Sequence, residues 1–216
     1  MLGFLQDDEP HALRAYRALE RMVVTLDLLP GAVTTEGALI ERVGLGRTPV
    51  REAIQRLAWE GLLEIRPRAG VAVAPLHPGD WLRILEVRRG VEVILARSAA
   101  RFPTAVVEQR LRGAGNLMNA ASMNLDVLAF LEADKVLDEA LAMASDNPYA
   151  ARLAAPLQTH SRRFWFRYQG IHGLGEAAAR HQELIEAILA GNETAAEGRA
   201  ATLMALLTRN AEAILR

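Results

Sequence analysis

The chain has 216 residues, of which 51% are hydrophobic, and its formal net charge is −1. This length and apolar fraction suffice to bury a core, and they leave room for two domains of ordinary size. The sequence contains no cysteine, which excludes disulfides, thiolate nucleophiles and thiolate metal sites.

Aromatic residues make up only 5% of the chain, whereas alanine, leucine and arginine are abundant. This composition suits helices that pack through aliphatic side chains, and it predicts a mostly α protein. The first residues lack a basic stretch followed by an apolar one, and no later segment is apolar for the length of a membrane span. We therefore expect a cytoplasmic protein.

The first part of the chain predicts three helices, of which the last two are short. Apolar residues recur at helical spacing from His11 to about Leu28. A second helix is predicted to end at Gly44, because a glycine tolerates the positive φ of a helix C-terminus. Thr48 and Pro49 then resemble an N-cap followed by proline at the first helical position, so a third helix should run to about Trp59. Two short helices joined by a glycine-containing turn make a helix-turn-helix.

The outer face of the third helix is predicted to carry hydrogen-bond donors. The candidate DNA-contacting residues on it are Arg47, Thr48, Arg51 and Gln55, with Arg56 beside Gln55. Arginine can bind guanine through two donors when such a helix lies in the major groove. The alternative is an ordinary solvated surface. The segment from Arg42 to Gly70 holds six arginines and three glutamates, and this local positive charge favours nucleic acid.

Two short apolar runs after the third helix predict a β-hairpin. Residues 62–66 and 71–74 can pair across a turn that contains Arg68 and ends at Gly70. Such a hairpin is a wing that can lie against phosphate or enter the minor groove. The predicted N-terminal domain, residues 1–76, is therefore a winged helix-turn-helix.

The rest of the chain predicts helices alone. A turn-forming stretch at 76–80 places a domain boundary near residue 77. About six helical segments follow, and no strand pattern interrupts them. Helix starts are indicated at Thr104, Asp126, Asn147 and Asn192, and the helix that begins at Asn147 is predicted to end near Gly170. Residues 77–216 are therefore predicted to form an all-α bundle.

The string RTPVREAIQRLAWEGLLEIRPRAGVAV resembles the GntR family of bacterial transcription regulators, with a glycine at Gly46 where the family usually has serine. The second half resembles the FCD-type ligand-binding domain of the FadR branch, on EVRRGVE, ADKVLD, DNP and RHQELIEAI. The resemblance implies a homodimer that binds a palindromic operator and responds to a small organic acid. It also implies DNA contacts at Arg47, Thr48 and Arg51, with Gly70 at the tip of the wing.

The resemblance further implies a divalent metal site in the bundle. The four ligand positions fall at Asp134, Asp138, His181 and Leu203, and leucine cannot ligate a metal, so the site is altered. Three side chains and water could still hold Zn, Ni or Mn. Alternatively, if both aspartate carboxylates face inward, their repulsion would require a cationic ligand or a shift in the pKa of one of them. A third alternative leaves Asp138 solvated and His181 in the core.

Arg88 and Arg163 are the arginines expected to bind the carboxylate of an effector. Asp134, Asp138 and His181 are the other residues expected to line the effector site. A salt bridge to Glu92 is the alternative role for Arg88, and a surface or dimer face is the alternative for Arg163. We predict a ligand-responsive repressor and not an enzyme. The alternatives are a metal-dependent hydrolase, for which no nucleophile and base are evident, and a structural DNA-binding protein without an effector.

Overall fold

The computed structural model describes residues 9–101, 104–170 and 172–215. The chain divides into two compact units, Met1–Leu76 and His77–Arg216. Within the described ranges, no helix has both the length and the apolar character needed to cross a membrane.

The first unit packs three helices against a small antiparallel sheet. Its elements are α1 (His11–Val24), β1 (Val33–Thr34), α2 (Glu36–Val43), α3 (Arg47–Trp59), β2 (Leu63–Arg66) and β3 (Gly70–Val73). The strand order is β1-β3-β2, so β3 is the central strand of the sheet. Side chains from every helix and from β2 and β3 share one core, which includes Leu19, Leu39, Leu57, Leu63 and Val71. The predicted winged helix-turn-helix is confirmed.

The local signals at the helix-turn-helix behave largely as expected. Thr35 caps α2, because its Oγ1 accepts a hydrogen bond from the backbone N–H of Ala38 at 3.1 Å. Gly44 follows α2 with φ of 70°, in the left-handed region that glycine tolerates. The predicted cap of α3 was wrong by two residues: Gly46 occupies that position, and Thr48 lies in the first turn.

Two other predictions in this unit need correction. The first helix ends at Val24 and not near Leu28, because the chain turns at Leu26, whose φ is 59°. The strand β1 was not predicted, since a two-residue segment shows no alternation of apolar and polar side chains.

The described part of the second unit contains only helices, which confirms the predicted bundle. They are α4 (Pro78–Ala99), α5 (Ala105–Met123), α6 (Val127–Ala144), α7 (Pro148–Phe164), α8 (Leu174–Leu189) and α9 (Glu193–Leu215). The sequence predicted helix starts at Thr104, Asp126, Asn147 and Asn192, and each of these side chains accepts a hydrogen bond from a backbone N–H in the first turn.

The packing of the second unit places α4 at its centre. It packs along α9 and α7 and also contacts α6 and α8. The helix α7 was expected to continue to Gly170, but the chain changes to a π-helical segment over Trp165–Gln169. Such segments are frequent at functional sites, and Trp165 here lines the cavity described below.

Candidate functional site

The first candidate site is the outer face of α3. The side chains of Val50, Ala53, Ile54 and Leu57 are buried against the core. The residues predicted to contact DNA, namely Arg47, Thr48, Arg51 and Gln55, are all exposed. The first unit thus presents one polar edge of α3 to solvent, beginning at the N-terminal end of the helix.

Arg51 is held on this surface by a glutamate of the preceding helix. Its Nε lies 2.5 Å from Oε1 of Glu36, and the Arg51 side chain remains 64% exposed. Ion pairs at such exposure contribute about 0–1 kcal/mol, because water competes for both partners. The guanidinium group can therefore leave Glu36 at little cost when another anion approaches.

Arg56 was expected beside Gln55 on the outer face, but it is directed towards α1. Its guanidinium carbon lies 3.8 Å from the centre of the Tyr16 ring, and its Nε donates to Glu60 at 2.9 Å. The Tyr16 hydroxyl donates to the same carboxylate at 2.8 Å. Burial, followed by the charges of Glu20 and Glu60, raises the pKa of Tyr16, so its hydroxyl stays protonated. Arg56 therefore helps to join α3 to α1.

The hairpin of β2 and β3 places Arg68 in its turn, where the side chain is exposed. Gly70 lies after the turn as the first residue of β3, paired with Arg66. Its φ is 102°, and a Cβ atom there would lie 2.3 Å from the carbonyl oxygen of Thr34. A side chain is thus excluded at Gly70 by the close approach of β1, whether or not the residue contacts DNA.

The second candidate site is a buried cluster of charged side chains inside the helical unit. Arg88, Glu92, Asp134, Asp138, Arg162 and His181 are each at most 7% exposed. They come from four helices: α4, α6, α7 and α8. Buried charges are costly unless they are paired, so their contacts decide what the cluster can do.

The contacts centre on the two aspartates. Nη1 of Arg162 lies 2.5 Å from Oδ2 of Asp138 and 3.3 Å from Oδ2 of Asp134. The other oxygen of Asp134 is 3.2 Å from Nε2 of His181. The other ring nitrogen of His181, Nδ1, donates to the carbonyl of Ala177 at 2.7 Å. A hydrogen bond between His181 and Asp134 therefore needs a second proton, on Nε2 or on the carboxylate.

Arg88 takes part through α4. Its Nε donates to Oε1 of Glu92 at 2.7 Å, and its Nη2 is 3.9 Å from Asp138. Gln158 donates to the same oxygen of Glu92 at 3.0 Å. The i+4 salt bridge considered for Arg88 is thus formed, and it is buried.

The two aspartates have opposite pKa shifts. Burial raises the pKa of Asp134, but the hydrogen bond from His181 and the charges of His181 and Arg162 outweigh it, so this pKa lies below its ordinary value. Burial and the neighbouring charge of Asp134 raise the pKa of Asp138 well above its ordinary value, although Arg162 lowers it. Asp138 is therefore the carboxyl group of the pair that binds a proton more readily.

A small cavity adjoins the cluster. Its volume is about 20 Å³, which is room for about one water molecule. Arg88, Asp134, Arg162 and His181 contribute the charged part of its wall, and Phe130, Leu131 and Trp165 contribute apolar surface. An organic acid could enter only if some of these side chains moved.

Arg163, predicted to bind an effector, is fully buried and is not among the residues that line this cavity. Burial lowers the pKa of its guanidinium group to about 10. Sequence reasoning missed Arg162 beside it. A signal was available, because Gln158, Thr159 and Arg162 form a polar stripe at i, i+1 and i+4 in an alanine-rich helix.

The expected metal site does not fit this arrangement. Leu203 is buried on α9, as the altered fourth position. Asp134, Asp138 and His181 come together, but Arg162 lies between the carboxylates. Across the described residues, no group of three or more histidine, cysteine or acidic side chains is arranged to hold a metal ion.

Comparisons with known proteins agree with the two units. The family described as bacterial regulatory proteins, gntR family, matches residues 11–73, and the FCD domain matches residues 83–206. A Streptomyces ambofaciens protein named as an uncharacterized HTH-type transcriptional regulator is 31% identical over 182 residues, which cover 82% of this chain and 75% of that protein.

Two further similarities extend over nearly the whole chain. The galactonate operon transcriptional repressor of Escherichia coli is 28% identical over 226 residues, covering 90% of this chain and 97% of the repressor. The solved structure of E. coli McbR/YncC has a TM-score of 0.78 at 20% identity, covering 93% of this chain and 98% of that one, and shows the shared fold. The chain belongs to the GntR family of bacterial regulatory proteins, with a C-terminal FCD domain, and is a DNA-binding transcription regulator and not an enzyme.

Proposed function

We propose that the protein is a repressor that binds a palindromic operator as a homodimer and responds to a small organic acid. The observation that carries this proposal is the exposed face of α3, where Arg47, Thr48, Arg51 and Gln55 lie opposite a fully buried apolar face. Arg68 in the wing adds a cation that can meet phosphate.

We propose a homodimer because a single copy can contact only a few bases. Four side chains on one short helix can distinguish only a few base pairs, and each good bidentate contact contributes about 1–3 kcal/mol of discrimination. A second copy, one helical turn of DNA away at about 34 Å, doubles the number of bases that are recognised. The operator is then a palindrome with that spacing.

The effector proposal rests on the guanidinium groups that line the cavity. Arg88 and Arg162 can bind a carboxylate, and Asp134, Asp138 and His181 can accept or donate hydrogen bonds to hydroxyl groups on it. The galactonate named in the E. coli repressor is a carboxylate of this kind. An incoming carboxylate would compete with Glu92 and Asp138 for the arginines, and so it would change contacts among α4, α6 and α7. It regulates DNA binding only if it prefers one of the two arrangements.

The DNA part is tested with alanine variants of Arg47 and Arg51, assayed by fluorescence anisotropy on DNA from the protein's own promoter. Each variant should lose about 1–3 kcal/mol of binding free energy, roughly a five- to 150-fold loss of affinity. Arg112→Ala is the matched control, because Arg112 is an exposed arginine paired with one glutamate, Glu108, in the helical unit. Equal affinities for all three variants would contradict the proposed interface.

The effector part is tested by thermal shift with a panel of small organic acids. An acid that binds the native protein should raise its melting temperature and change its affinity for the operator. Arg88→Lys keeps the positive charge but loses the bidentate donor, so the variant should show no thermal shift with the acid and should still bind DNA. A protein that binds its operator and responds to no acid would favour a structural DNA-binding role without an effector.

A further inference from the structure

Arg162 occupies the place between the paired carboxylates that a metal ion would need. A divalent ion bound by Asp134, Asp138 and His181 requires an oxygen or nitrogen of each at about 2.0–2.6 Å. Instead, Nη1 of Arg162 lies within hydrogen-bond distance of both carboxylates, at 2.5 and 3.3 Å. A guanidinium group and a metal ion cannot share this position, because both are cations and would compete for the same carboxylate oxygens.

The guanidinium group of Arg162 is fixed there by its own helix. Its Nη2 lies 3.2 Å from Oγ1 of Thr159, one turn earlier on α7. Thr159 is only 1% exposed, and Arg162 itself is 6% exposed. The N–H groups of Arg162 thus already lie against both aspartate carboxylates, whereas a flexible surface arginine would have to become ordered first.

Two cationic side chains already lie among the carboxylates of the cluster. Arg88 and Arg162 contact three acidic side chains, Glu92, Asp134 and Asp138. Arg88 and Arg162 approach different oxygens of Asp138, at 3.9 and 2.5 Å. A divalent cation added to this set would place two further positive charges beside two buried guanidinium groups, which is costly.

We propose that Arg162 is an internal cation that takes the place of a divalent metal and connects α6, α7 and α8 around the cavity. The helical unit then folds and holds its cavity without a metal ion, and a ligand in the cavity meets a guanidinium group. Removing the Arg162 side chain should free the two carboxylates and the imidazole to rearrange around a metal ion and a water molecule, as a site with three protein ligands.

The test compares the full-length wild type with Arg162→Ala, both stripped by a chelator and then titrated with Zn²⁺, Ni²⁺ or Mn²⁺. Binding is measured by calorimetry, and stability is measured by thermal unfolding. The wild type should melt at the same temperature with chelator and with metal. Arg162→Ala should melt at a lower temperature, bind a single ion per chain and recover part of the lost melting temperature with metal.

Two further variants separate this result from a general loss of structure. The double variant Arg162→Ala/Asp134→Ala should bind no metal, and Arg162→Lys, which keeps the cation, should remain insensitive to metal. Wild-type metal binding that Asp134→Ala abolishes would overturn the proposal. An Arg162→Ala protein that binds no metal, or that stays unfolded with every metal, would overturn it equally. None of these measurements uses DNA or an effector, so their outcome is independent of the proposed repressor function.

Discussion

Replacing Gly70 with alanine perturbs the wing at a single residue, and the structure shows what the new side chain would meet. The φ of this residue is 102°, and the new Cβ atom would lie 2.3 Å from the carbonyl oxygen of Thr34. The neighbour is backbone, so no side chain can rotate away, and β1 must move relative to β3. The pairing at risk is that of Val33 with Ala72 and of Thr34 with Val71.

Two costs add at Gly70. An unfavourable backbone conformation costs about 1–3 kcal/mol, and overpacking against a fixed neighbour costs about 1–3 kcal/mol more. Gly31 separates the two contributions, because its φ is 78° but no atom lies within 4 Å of its Cβ position. Gly31→Ala should therefore show only the conformational cost, and Gly70→Ala should be less stable than Gly31→Ala by about 1–3 kcal/mol.

Hydrogen–deuterium exchange is the suitable assay, because it reports on the sheet without requiring the whole chain to unfold together. Gly70→Ala should accelerate exchange in β1 and β3, whereas Gly31→Ala should leave β3 closer to wild type. Equal exchange in the two variants would refute the steric explanation. It would leave the conformational preference of glycine as the whole reason for Gly70.

Two other predictions concern the first unit. Glu36→Gln removes the charged partner of Arg51, and because an exposed ion pair contributes only about 0–1 kcal/mol, the melting temperature should change little. The affinity of this variant for non-specific DNA should rise up to about fivefold. Fluorescence anisotropy with a random duplex measures that affinity, and weaker binding than wild type would contradict the prediction. Tyr16→Phe removes the hydroxyl group that donates to Glu60, and it should destabilise the protein by about 1–3 kcal/mol in thermal unfolding. An unchanged melting temperature would mean that water satisfies the Glu60 carboxylate equally well.

The parts of the fold that the sequence predicted well depend on neighbours in the chain. The caps at Asp126 and Asn147 are hydrogen bonds to backbone N–H groups three residues away, so the residue type at the cap position predicts them. The turn after α2 required a residue with positive φ, and Gly44 supplies it. The burial of one face of α3 likewise follows from spacing alone.

The parts that the sequence did not predict depend on residues far apart in the chain. The spacing of Asp134 and Asp138 placed them on one helix face, but it could not show that Arg162, on another helix, lies against both. Arg162 and Arg163 are adjacent and identical in type, and only the packing of α7 decides which one meets the aspartates. The two-residue strand β1 forms only because β3 lies beside it.

Asp138→Asn tests the electrostatics of the cluster through pH. The pKa of Asp138 is raised in the folded protein above the ordinary 3.8, so between these two values the folded state keeps a proton that the unfolded chain releases. Its contribution to stability is present below pH 3.8 and is lost as pH rises through the folded pKa. The variant lacks this titration, so its stability relative to wild type should rise with pH by up to about 1.4 kcal/mol per pH unit in that window.

Asp134→Asn is the opposite case, because the lowered pKa of Asp134 gives a contribution to stability that is lost only as pH falls below 3.8. Urea unfolding followed by the fluorescence of Trp81 and Trp165, with the 85% exposed Trp59 replaced by phenylalanine, measures both differences in the helical unit. A difference between wild type and Asp138→Asn that stays constant from pH 4 upwards would show that Asp138 ionises normally, and it would remove the reason for assigning the more readily bound proton of the aspartate pair to that residue.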